Sequence, residues 1–175
     1  MQMTLSWRQK PMISFEQRFI KIPILLLVSL VTLWLAPLSA AEQPFACAPT
    51  LEDEMGPFYK PGAPYRHSVG TGYLLFGTVK SAEDCSPIPA ATVELWMTGP
   101  EGRYGDEWWA TLFSAKNGTY YFTSHAATEF GSRRPHIHIR VTAEGFKPLV
   151  TQHYPVKNAG EGQFDLVLIP LTVVE

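Results

Sequence analysis

The sequence predicts an all-β protein: an antiparallel β-sandwich of about seven to eight short strands behind an N-terminal extended arm. Three observations carry this expectation. Short runs rich in β-branched and aromatic residues recur between turn residues, no stretch of the exported region repeats its apolar positions at helical spacing, and "FSAKNGTYYF" contains a turn pair, Asn117-Gly118. Both residues of that pair tolerate positive φ, so it predicts a two-residue hairpin turn. A chain of 175 residues, 46% hydrophobic and 17% charged, fits one globular domain better than two.

Taken in order, residues 1–41 read as a signal peptide and 42–175 as the domain. Arg8, Lys10, Arg18 and Lys21 precede the apolar run Ile22–Ala36. That run is short for a membrane span of about 20 residues, and the small residues of "PLSAAEQ" suit cleavage, so no stable membrane anchor is expected and the protein is exported, periplasmic or secreted. The full chain has 14 basic and 16 acidic side chains. Loss of the four basic residues and Glu16 leaves ten and fifteen, a formal charge of −5, which argues against nucleic acid as a partner. Cys47 and Cys85, both in the exported part, are expected to form a disulfide in an oxidising compartment; two buried free thiols are the alternative.

Glu42 to Gly72 is rich in proline and glycine ("GPFYKPGAPYR") and reads as an ordered arm packed through its aromatics. The strands follow as "GYLLFGTVK", "ATVELWM", "WWATLFSA", "TYYFTS", "HIHIRVTA", "PLVTQHY" and "QFDLVLIPL". Of Trp108 and Trp109, alternation sends one to the core and leaves the other to wall a pocket.

Within "SRRPHIHIRVTAEGF", His136, His138 and Arg140 share one strand face while Ile137, Ile139 and Val141 share the other. The apolar face reads as core. Two imidazoles about 6.5–7 Å apart at Cα can converge on one metal ion, although His-X-His also occurs on solvated strands. His153 reads as a strand-end histidine and the acidic trio Glu52, Asp53 and Glu54 as a solvated loop, while His67 and His125 carry no supporting context.

Tyr104, in "EGRYGDEWW", adds an anionic oxygen donor of the kind that suits Fe(III). In order along the chain, "GPFYKPGAPYR", "GTVKSAEDCSPIPAATVELWMTGPEGRY", "NGTYYF" and "RRPHIHIRV…GF…LVTQHY" resemble the intradiol ring-cleavage dioxygenases, the catechol and protocatechuate 3,4-dioxygenase family. The resemblance spans nearly all of residues 42–175. It implies a β-sandwich with non-haem Fe(III), Tyr104, His136 and His138 as metal ligands, and Arg133 as the residue that stabilises charge on the substrate. It also implies a small aromatic diol and O2 as partners, cleavage to a muconate-type diacid, and leaves a homo-oligomer open.

One position departs from the family. A second tyrosine ligand usually stands three residues before that arginine, and here the position is Phe130, which cannot coordinate and cannot accept a substrate proton. Tyr120 and Tyr121 lie near it in sequence, but the resemblance makes the hairpin tyrosine a packing residue. The alternative reading is therefore an exported, non-catalytic β-sandwich that binds a metal or ligand.

Overall fold

The structure, a computed structural model, describes residues 45–171; the expected signal peptide lies outside the described residues. Eight strands form two sheets: β1 (Tyr73–Ser81), β2 (Thr92–Thr98), β3 (Tyr104–Phe113), β4 (Thr119–Ser124), β5 (Ile137–Thr142), β6 (Leu149–His153), β7 (Glu161–Gln163) and β8 (Leu166–Leu168). One sheet runs β3-β2-β5-β6; the other runs β4-β1-β7, with β8 also on β1. Among the described residues there is no helix.

Alternation explains how the sheets close on each other. Along β1, Tyr73, Leu75 and Val79 are buried and their neighbours are half-buried, as a strand with one core face requires. β5 sends Ile137, Ile139 and Val141 into the same core, where they meet Leu75, Val93 and Phe122. β2 is buried on both faces because its outer face is also covered.

The cover is the arm. Asp53 N–H bonds the Val150 carbonyl on β6, one edge of the sheet, and Arg66 N–H bonds the Thr111 carbonyl on β3, the other edge. Residues 53–66 must therefore cross β5 and β2. Four strands about 4.8 Å apart span roughly 14 Å, which so many residues cross easily. A Cys47–Cys85 disulfide ties the start of the arm to the turn after β1.

Three details differ from the sequence expectation. The sandwich is mixed rather than purely antiparallel, because β7 and β8 run parallel to β1. β8 lies within the expected strand "QFDLVLIPL", whereas β7 shares only Gln163 with it; the two are separated at Phe164–Asp165, where Asp165 accepts a bond from Thr78 N–H and pairs with Lys80. The Asn117-Gly118 turn joins the two sheets instead of closing a hairpin, since β4 pairs with β1 and β3 with β2. Only Gly118 there has positive φ, and its N–H bonds the Ala115 carbonyl, which makes it the left-handed residue after a turn. β3 also begins earlier than expected, at Tyr104 itself.

Candidate metal centre

The outer face of the β3-β2-β5-β6 sheet carries the polar chemistry. Register sets Trp96 opposite His138 and Glu94 opposite Arg140, and sets His138 opposite Gln152, so these side chains share one face. His136 immediately precedes β5, and both imidazoles are buried. Tyr104 reaches this face through a break in register: Trp96 pairs with Trp109, yet Thr98 pairs with Tyr104, so β3 carries extra residues there. Such an irregularity re-aims the side chain next to it.

Three donors converge as a result. Tyr104 Oη lies 3.2 Å from His136 Nε2 and 2.9 Å from His138 Nε2, and the two Nε2 atoms are 3.1 Å apart. Donors each about 2.0–2.1 Å from one ion, at angles near 90–110°, stand about 2.9–3.4 Å apart, so the triangle has the size that one ion sets. His136 Nδ1 is 2.7 Å from the Arg134 carbonyl and must donate to it, which leaves Nε2 with a lone pair facing inward. Among the described residues no three His, Cys, Asp or Glu side chains form a metal-holding group; the third donor here is a tyrosine.

Burial keeps the imidazoles neutral, as ligation needs. It pushes His136 below the ordinary histidine range, and it pushes His138 down to about 4, with the neighbouring His136 and Arg133 adding to the effect. Burial raises the Tyr104 hydroxyl, while the Arg133 guanidinium pulls it the other way. His138 lies flat on Trp96, with ring centroids 4.9 Å apart and planes 3° apart, and its Nδ1 has no hydrogen-bond partner.

Phe130 and Arg133 pair backbone to backbone across Gly131-Ser132, with Gly131 at φ +59°, the position where a II′ turn needs glycine. Paired residues project to one side, so this turn delivers both side chains to the centre. Phe130 lies edge-on to Tyr104 at 5.2 Å, and Phe58 from the arm stacks on Tyr104 at 4.3 Å. The expected fourth-ligand position thus adjoins the donors and supplies an apolar wall. Arg133 donates to Gln152 Oε1 at 2.9 Å; Gln152 Nε2 in turn donates to the Glu54 carbonyl at 2.6 Å, and Tyr154 Oη donates to Asp53 at 2.8 Å.

Clefts of about 370 Å³ and 170 Å³ flank Tyr104, the first lined by Gly99, Arg103 and Trp108, the second by Phe58, Tyr59 and Trp109. Neither is lined by the two histidines, which the arm covers. The two tryptophans divide as alternation requires: Trp108 packs toward the core, and Trp109 lies under the arm against Trp96 and Tyr59.

The other sequence candidates are elsewhere or only adjacent. Tyr120 is buried and donates to the Phe164 carbonyl, and Tyr121 is exposed. His67 stacks on Tyr121, His125 faces the Thr98 carbonyl, and His153 pairs with the Tyr73 hydroxyl at 2.6 Å. Sequence reasoning missed Gly56, Phe58, Trp96 and Gln152. The signal available for Gln152 was a polar residue inside the apolar run "PLVTQHY".

No protein family model and no curated protein matches the chain. Solved structures do. The dioxygenase domain of a dioxygenase and carbohydrate-binding fusion protein from Streptomyces sp. SirexAA-E is 25% identical with a TM-score of 0.64, covering 70% of this chain and 99% of that one. An intradiol ring-cleavage dioxygenase from Tetranychus urticae is 17% identical with a TM-score of 0.65, covering 72% and 97%. Hydroxyquinol 1,2-dioxygenase from Pseudomonas putida DLL-E4 is 15% identical with a TM-score of 0.62, covering 82% and 71%.

Proposed function

Because the chain has the fold of the intradiol ring-cleavage dioxygenases, we propose that residues 42–175 are an exported non-haem iron enzyme. It cleaves a catechol-type aromatic between its two hydroxylated carbons. One observation carries the reading: Tyr104, His136 and His138 turn their donor atoms onto a single point with mutual separations of 2.9 to 3.2 Å. A phenolate oxygen and two neutral imidazoles suit Fe(III) in donor type.

When bound there, Fe(III) would supply Lewis acidity that favours the deprotonated, electron-rich form of a catechol, the form that reacts with O2. The chain's residues do the rest. Tyr104, His136 and His138 hold the ion, and the Arg134 carbonyl keeps His136 in the tautomer that ligates. Arg133, held by Gln152, places a positive charge where the substrate becomes anionic. Phe58 and Phe130 hold the Tyr104 ring between them, which fixes where its oxygen points. In balance, the bond between the two hydroxylated carbons breaks and each gains one atom of O2, so catechol and O2 give a muconate-type diacid.

Export after removal of residues 1–41 is part of the reading, supported by the basic and apolar N-terminus and by the disulfide. Among the described residues no helix is long and apolar enough to cross a membrane. Phe130 favours a second reading, a binding protein on the same sandwich without turnover. Incubating the iron-loaded protein with a panel of catechols under ¹⁸O2 separates the two. One labelled oxygen in each new carboxyl group supports the enzyme, and tight catechol binding with no product supports the binding protein.

A further inference from the structure

The three donors carry little negative charge of their own. Of the three, only Tyr104 becomes anionic, and its neighbours Phe58 and Phe130 contribute aromatic walls. The charged residue on the Phe130 turn, Arg133, is a cation. The nearby carboxylates are not donors to the same point: Asp53 accepts the Tyr154 hydroxyl and acts on the two imidazoles only through its charge, Glu94 is bound by Arg140 and Tyr59, and the Glu54 carboxylate, 80% exposed, lies 3.9 Å from Arg133.

On the reading that this centre takes Fe(III), we infer that Phe130 makes retention of the ion depend on the aromatic ligand. A trivalent ion with one phenolate as its sole anionic ligand keeps two positive charges that its own ligands do not offset, in a buried site where electrostatic energies are larger than in water. A catecholate that has passed both hydroxyl protons to solvent brings two negative charges and two oxygens. The trivalent ion and the catecholate therefore bind as a coupled pair, each raising the other's affinity by the same factor. A second phenolate at position 130 would supply part of that charge from the protein and weaken the coupling.

The test uses the full chain as secreted, loaded with one equivalent of Fe(III) without O2 so that no turnover occurs. EDTA is added with or without 4-nitrocatechol, and protein-bound iron is measured by elemental analysis after desalting. With the catecholate present, about 100-fold more EDTA should be needed to strip half the iron from the wild type at equilibrium, toward the upper end of ordinary linkage. In Phe130→Tyr the ratio should fall below about 10-fold because iron is retained without the ligand. Phe130→Leu, which also lacks a donor, should keep the wild-type ratio, and a collapsed ratio there would assign the effect to the ring and overturn the inference. Equal retention by the wild type with and without 4-nitrocatechol overturns the inference alone. Failure to take up iron in either condition overturns the Fe(III) reading as well.

Discussion

Gly56 lies against the imidazole of His138: a Cβ built on Gly56 would stand 3.1 Å from His138 Cε1, and the glycine has φ +72°. The ring has little room to retreat, because Trp96 stacks on it in parallel. Gly56→Ala therefore combines a left-handed backbone cost of about 1–2 kcal/mol with a push on a proposed ligand. Chemical denaturation should show a loss of about that size, and metal titration should show weaker binding. Unchanged stability and affinity would remove the arm from the account of the site.

The Cys47–Cys85 disulfide closes a loop of sequence separation 38 and fastens the arm that covers the centre. Loop-closure entropy for that length is worth about 4 kcal/mol. The double Ser variant is expected to lose about 2–4 kcal/mol by denaturant unfolding, and to expose the centre to chelators more readily. Full retention of stability would mean that the arm is held by its hydrogen bonds and aromatics alone.

His153 gives a pH dependence with a definite sign. Burial pushes it down to about 4, so the folded state takes up its proton less readily than the unfolded chain, whose histidine titrates near 6.5. Its contribution is complete above about pH 6.5 and is lost as pH falls toward 4, at most about 3 kcal/mol. In metal-free protein, His153→Gln should flatten part of the acid limb of a stability-pH curve while keeping a polar partner for the Tyr73 hydroxyl. An acid limb identical to the wild type would place the loss on other groups.

Phe130→Tyr should raise catechol turnover. Phe130 sits 5.2 Å from Tyr104 between ring centroids, so a hydroxyl on it adds an oxygen beside the donors that can take a substrate proton. General-base assistance is typically worth about 10² to 10⁴ in rate, well within reach of an oxygen-uptake assay. A wild type that is already fast, with a variant no faster, would mean that another group serves as base.

Alternation made the sandwich, the core face of β5 and the pairing of His136 with His138 legible from residues alone. The order of family-like segments added Tyr104, Arg133 and the departure at Phe130. Features set by partners distant in sequence were not legible. Trp96 and Gln152 acquire meaning only because β2 and β6 flank His138, and Gly56 only because the arm crosses from Val150 to Thr111. The Asn117-Gly118 pair illustrates the limit: its local chemistry specifies a turn but not whether the flanking strands lie in one sheet.

The most direct measurement is the iron stoichiometry and visible absorption spectrum of the protein under excess Fe(III), compared with Tyr104→Phe, His136→Ala and His138→Ala. Three converging donors should hold one ion per chain, with a phenolate-to-iron charge-transfer band in the wild type. The band should vanish in Tyr104→Phe, and stoichiometric iron should be lost in each histidine variant, with the disulfide and circular dichroism unchanged. A wild type without iron, or a band that survives Tyr104→Phe, would contradict the assignment of these three residues.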